Sequence, residues 1–532
     1  MKKIYIAFLL FVTAVISGCY EDKGNYDYEN IDGLKITFEE PTYSVTFGES
    51  LSIKPSFNLE LPEESDRYTY NWYVNGNTRP GWNRRDFDWL VDTVFKDGKV
   101  VLEVTDAKYG ITYMNRASLN VVGIFENDYS WMILSDVDGE SRLSYFSNLE
   151  YNSDAEEFKK VKFYDDVYVM ANDGKLGTGP IALQEHFRAQ VNYVETIIGN
   201  VCVFQESGAV DLSGESFEKQ IDMAESFDGG VYPAGAIIYP GTFMDRVDVL
   251  ADQKGQLYSR FRAVATVYNS EYFLQTPLSF EGETLEQCRV ARGYYRANRT
   301  GYAVVYDGKN KRMLYTVNSD YWNDIAGAGR FVALPARGIE NADSDVIIPL
   351  DNMDGYELIK MGMFGYGSLE DWTNQYGIYM LLREESTDKV FLELIRLKGS
   401  SARPVLQEVL LYEVKGLPEV PSTVTIPLDR PEYVFFGAGN NVYFLDLKNP
   451  KNPVVLYKSF GAKVTAINAE SRYNKHMAVG LENGEFYILF VREAKNVAEE
   501  KKVLYPNGAY PADQKVGRIV DIQYKQLDHW NY

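Results

Sequence analysis

The chain has 532 residues, too many for one ordinary domain, and its 45% hydrophobic and 24% charged residues exclude a mainly disordered protein. Asp and Glu number 76 against 54 Lys and Arg, giving a net charge of −22, and so acidic a surface repels phosphate backbones and excludes a nucleic-acid partner. Three Cys and three His leave little material for a disulfide scaffold or a zinc framework, while 14% aromatic residues favour β-sheet over a helix bundle.

Lys2 and Lys3 precede an apolar run from Ile4 to Ile16. That run is shorter than the roughly twenty residues a membrane-spanning helix needs, and it suits a secretory signal. It ends in Ile16-Ser17-Gly18-Cys19, which resembles the lipobox of bacterial lipoproteins. The alternative is an ordinary cleaved signal with an incidental Cys. The resemblance implies that residues 1–18 are a signal peptide, that Cys19 is lipidated, and that the membrane is touched through the lipid anchor only. Glu21 and Asp22 follow, and acidic residues behind a lipidated Cys resemble the surface-export signal of Bacteroidetes lipoproteins. Residues 19–32, rich in Gly, Asn, Asp and Tyr, read as a solvated tether.

Residues 33–122 alternate as strands do. Runs occur at Leu34–Phe38, in two pieces between Tyr43 and Phe57, at Tyr68–Val74, at Val100–Val104 and at Ala117–Val122. Asn75-Gly76 is a hairpin signal of type I′. About seven short strands with Trp72 in mid-strand predict an immunoglobulin-like sandwich with Trp72 in its core. Tyr70-Asn71-Trp72-Tyr73 and the Leu102–Asp106 run resemble PKD-type modules. The stretch Gly81–Trp89 has no strand alternation and reads as a loop presenting Trp82 and Trp89.

Residues 123–532 repeat an apolar hairpin. The turns fall at Asp138-Gly139, Ser207-Gly208, Lys254-Gly255, Asp307-Gly308, near Thr387, at Gly439-Asn440 and at Asn483-Gly484. Seven such units without a Pro- or Ser-rich linker predict a seven-bladed β-propeller. A run of unrelated β-domains is the alternative. Val464–Ile467 precedes the last hairpin as an inner strand, whereas Ile519–Ile522 has the same pattern and no hairpin after it. The C-terminal strand is therefore expected to complete the first blade, whose hairpin lacks an inner strand before it, and to close the ring.

No catalytic signature emerges. His186, His476 and His529 lack metal-ligand spacing, Gly214-Glu215-Ser216 lacks the last Gly of a nucleophile elbow, and Gly174–Gly179 lacks the Lys-Ser/Thr end of a phosphate loop. Asp136–Glu140 places its Gly fourth rather than sixth for a calcium loop, and Cys202 and Cys288 fall in different units and read as buried thiols. No catalytic residue, metal or cofactor is assigned. Exposed aromatics flanked by amides and acids suit sugars or extended peptides, and Tyr321, Trp322 and Trp372 stand in such polar stretches beside Trp82 and Trp89. Each Trp could instead plug the base of its own loop.

The lipobox, the start Cys19-Tyr20-Glu21-Asp22-Lys23-Gly24-Asn25-Tyr26, the sandwich with Trp72 and the long β-rich remainder resemble the PKD-like family lipoproteins of Bacteroidetes. The resemblance implies a lipid-anchored protein on the outer face of the outer membrane, accessory to a SusC/SusD-type transporter and binding a glycan or peptide nutrient. Two other roles stay open: a propeller glycoside hydrolase or lyase using channel carboxylates, and a purely structural subunit of the transporter complex.

Overall fold

In the computed structural model the described residues are 33–525, without 63–64, 94, 126–128, 187–199, 245–246, 262–271, 294–301, 318–329, 336–347, 366–375, 399–404, 428–431 and 471–474. The fold is all-β, with 54% strand and 5% helix. Two compact units divide it, Met1–Val122 and Gly123–Tyr532.

In the first unit, Thr42–Thr46 pairs in parallel with Ile111–Val122, which pairs antiparallel with Phe95–Asp106, and that in turn with Tyr68–Val74. Two short ladders complete it, Ser50–Ile53 with Phe87–Leu90 and Ile36–Thr37 with Ser56–Phe57. The alternation expected of a half-buried sheet holds: Tyr70, Trp72, Val100, Leu102, Val104 and Leu119 point inward and are buried. Trp72 is fully buried, and its indole Nε1 donates to the Arg84 carbonyl at 2.9 Å, so this large ring adds core contact without an unsatisfied donor.

One expectation for this unit holds and one needs correction. Asn75 and Gly76 do take positive φ, 48° and 78°, as a type I′ turn requires. The turn closes as a hairpin, with Val74 bridged to Asn77 just beyond it, and the strand before it also pairs along its length with Phe95–Asp106. Gly81–Trp89, in contrast, is not an exposed loop, because Phe87–Leu90 is a strand whose Phe87 and Trp89 face inward. Trp82 and Trp89 are only 7% and 5% exposed and pack edge to face with centroids 5.8 Å apart. Trp82 also meets Phe87 at 5.1 Å, and Trp89 stacks on Phe95. Burying rings of this size removes more apolar surface from water than a solvent-facing loop could retain. They are core residues and present no face to a ligand.

Among the described residues of the second unit, seven antiparallel sheets of three or four strands follow one another, besides a two-stranded ladder of Ser279–Phe280 with Glu283–Thr284; each of the seven contains one of the expected hairpins as its second and third strands, except the first sheet, where the hairpin comes first in the chain. The first sheet joins Trp131–Val137, Glu140–Asn152 and Glu157–Tyr164 to the C-terminal strand Arg518–Tyr524, which pairs with Trp131–Val137. The leading strands of the next six sheets are Pro180–His186, Ile238–Phe243, Arg289–Val290, Tyr356–Gly365, Thr423–Thr425 and Val464–Ala469. Arg518–Tyr524 touches both Pro180–His186 and Val464–Ala469, and further contacts link second to third, third to fourth, fourth to fifth, and sixth to seventh. The fifth and sixth share one apolar cluster, with Phe364, Tyr379 and Leu392 against Val424 and Val434.

Leading strands lie at sheet edges, and an edge leaves backbone groups without ladder partners. Here side chains of the neighbouring leading strand satisfy them. Asp521 and Gln523 accept from the Leu183 and Glu185 amides at 2.8 and 3.2 Å. Gln184 bonds both backbone groups of Gly241, Thr242 donates to the Ala291 carbonyl, Thr425 accepts from the Ala469 amide, and Asn468 accepts from the Tyr524 amide. Polar residues on otherwise apolar strands thus stitch one sheet to the next.

Candidate functional site

The leading strands converge on a small group of charged side chains. Arg292, two residues beyond Arg289–Val290 of the fourth sheet, reaches Asp521 of the first, with Nη1 2.8 Å from Oδ2. Its other amino group donates to Gln523 Oε1 at 3.3 Å. This ion pair joins two sheets that are not neighbours in the chain. It is half-buried, which leaves it in contact with water.

Lys360 of the fifth sheet stands beside this pair. Its Nζ lies 3.5 Å from Thr423 Oγ1 of the sixth sheet, at the long limit of a hydrogen bond. Lys360 is exposed to solvent although protein surrounds its charged end. The enclosure holds the ammonium below its ordinary pKa; Asp521 opposes that shift and Arg292 adds to it. Tyr379, buried behind, has its phenol pushed up to about 12 by burial.

Deeper in, Lys525 and Glu185 form an ion pair of 2.7 Å with side chains 0% and 2% exposed. It ties the end of the C-terminal strand to the second sheet. Elsewhere, His186 bonds Asp211 at 2.8 Å within the second sheet, and His476 meets the Tyr151 hydroxyl at 2.9 Å. These histidines are buried and hold no metal-ligand geometry together; among the described residues no group of three or more His, Cys, Asp or Glu could hold a metal ion. Asp136 spends its carboxylate on the Gly139 amide and Arg518, and Cys202 and Cys288 are buried, unpaired thiols.

Of the ligand-binding residues expected from sequence, Trp82 and Trp89 belong to the sandwich core. Tyr321, Trp322, Trp372 and the lipidation candidate Cys19 lie outside the described residues. In the first unit the open surface is instead a groove of about 510 Å³ on the outer sheet face, lined by Tyr73, Val101, Glu103, Met114 and Arg116. Arg292, Lys360, Asp521, Gln523, Glu185 and Lys525 were not singled out from sequence. Their one local signal is a charge inside an apolar strand, as in Ile519-Val520-Asp521-Ile522 and Leu358-Ile359-Lys360-Met361.

The PKD-like family model matches residues 19–180. That match covers the whole sandwich and runs on through Trp131–Val137, Glu140–Asn152 and Glu157–Tyr164 of the first sheet of the second unit, without its C-terminal strand. No curated protein matches the sequence. Among solved structures, AztD from Citrobacter koseri is similar at 10% identity and a TM-score of 0.34, over 86% of this chain and 97% of that one. YCF48 from Cyanidioschyzon merolae is similar at 8% identity and a TM-score of 0.34, over 63% of this chain and 86% of that one. Among the described residues no helix is long and apolar enough to cross a membrane.

Proposed function

We propose that this chain is a lipid-anchored binding protein displayed on the outer membrane, where it captures a glycan or peptide nutrient for a SusC/SusD-type transporter. In this reading the second unit is a seven-bladed β-propeller closed by its C-terminal strand, with the ligand received near its axis. The observation that carries a binding role is the solvent-reached group of Arg292, Lys360, Asp521 and Gln523, drawn from different sheets to one place. The acids described there favour binding over hydrolysis. Asp521 is paired with Arg292 and Glu185 with Lys525, whereas glycoside cleavage needs two carboxyls flanking a bond and free to exchange protons.

The address rests on Lys2–Cys19 and on Glu21 and Asp22. Export and capture are tested together in cells. The wild type should be cleaved by external protease on intact cells, and Cys19→Ala should leave a soluble or unprocessed species. Purified full chain should retain one member of a panel of soluble polysaccharides and casein peptides without altering it chemically, and Trp322→Ala with Trp372→Ala should weaken that retention. Normal membrane retention of Cys19→Ala overturns the address. Product formation abolished by Asp521→Asn replaces binding with catalysis.

A further inference from the structure

We propose that the centre of the second unit is a site for a carboxylate, with Lys360 as its anchoring cation and Arg292 and Thr423 beside it. The inference deepens the binding role proposed above and rests on it. It starts from the local charge count. Among the described residues at the centre, Arg292 and Lys360 carry positive charge and Asp521 negative, while Glu185 and Lys525 cancel each other. One cation is therefore in excess, inside a chain whose net charge is −22.

The geometry decides which cation is available. The Asp521 Oδ2 already accepts from the Leu183 amide and from Arg292, both at 2.8 Å. The guanidinium commits two of its five N–H donors to Asp521 and Gln523, so it is already held by acceptors of the protein. Lys360 has three donors, and its described contact is the 3.5 Å approach to Thr423. An ammonium that is enclosed, water-reached and short of acceptors lacks the carboxylate oxygens that would satisfy it. The Thr423 hydroxyl can donate a further bond to the same group. A site with one positive charge in excess inside an acidic protein also concentrates small anions locally, because the surrounding protein focuses its field. The carboxylate could belong to an acidic sugar or to an acidic amino acid of a peptide.

The test is calorimetric titration of the full chain with sodium glucuronate, sodium glutamate and glucose, followed by competition with acetate. At least one of the two acids should bind and be displaced by acetate, and glucose should not bind. Tighter glucuronate assigns an acidic glycan, and tighter glutamate an acidic peptide. Lys360→Met should weaken binding about ten- to a hundredfold, the usual worth of a hydrogen bond to a charged group, and Lys360→Arg should keep it. Asp521→Asn, which removes the competing carboxylate at constant shape, should tighten binding; this variant carries the test if Lys360→Met does not fold. Failure of both acids to bind, or unchanged affinity in either Lys360→Met or Asp521→Asn, overturns the carboxylate site. If neutral glycans or uncharged peptides are still retained in that event, the broader binding role stands; if nothing is retained, both fall.

Discussion

Glu393 offers a sharp test of how this fold handles a misplaced charge. It sits in mid-strand in Val390–Lys398 of the fifth sheet, is 0% exposed, and neither carboxyl oxygen has a hydrogen-bond partner. Its cross-strand neighbours are Met380 and Leu411. Burial pushes its pKa from 4.5 up to about 8. The folded state therefore holds a proton that the unfolded chain releases above pH 4.5, and stability must fall as pH rises from there to about 8. Each pH unit in that window costs about 1.4 kcal/mol, so roughly 3 kcal/mol is lost between pH 5 and pH 7.5. Glu393→Gln removes the titration and keeps the shape. Thermal melts followed by tryptophan fluorescence should show the variant gaining on the wild type as pH rises, by a few degrees at pH 7.5. Comparing the two proteins cancels every other titrating group. A difference in melting temperature that stays constant from pH 5 to pH 7.5 would refute the reasoning.

Three further outcomes are expected. Deleting residues 518–532 strips Trp131–Val137 of its partner strand and leaves Arg292 and Glu185 without Asp521 and Lys525; at about 1–3 kcal/mol per buried unsatisfied group, the truncated chain should melt far lower or fail to fold, and an unchanged melting temperature would count against the role of that strand. Lys525→Met should cost about 3–5 kcal/mol in denaturant titration, because it removes the 2.7 Å ion-pair partner of the buried Glu185 carboxylate, and the double variant Lys525→Met with Glu185→Gln should recover part of the loss. Gly484→Ala should lower the melting temperature by several degrees, since Gly484 has φ +82° and an added Cβ would lie 1.8 Å from the Val516 carbonyl oxygen; an unaffected melt would show that the turn can rearrange freely.

Local sequence determined what local physics can determine. Apolar runs of strand length, broken by Gly and Asn at positions such as Gly139 and Gly484 where φ is positive, specify hairpins regardless of what surrounds them. The inward alternation of Tyr70, Trp72 and Val74 likewise locates a core face before any partner is known. The same rule could have placed Trp89, but Phe87–Leu90 spans only four residues, too few for alternation to stand out from a polar loop. Pairing across long separations was decided by tertiary structure. Asn75-Gly76 makes its turn and bridges Val74 to Asn77, but the long ladder of Tyr68–Val74 is with Phe95–Asp106, and the intervening chain folds back to bury Trp82, Phe87 and Trp89. The central site is the extreme case: Arg292 and Asp521 stand 229 residues apart, and Glu185 and Lys525 stand 340 apart. In sequence each is one of 130 charged residues, and only the meeting of the leading strands gives them partners, because the strength of a charge interaction depends on distance and burial, which sequence spacing does not contain.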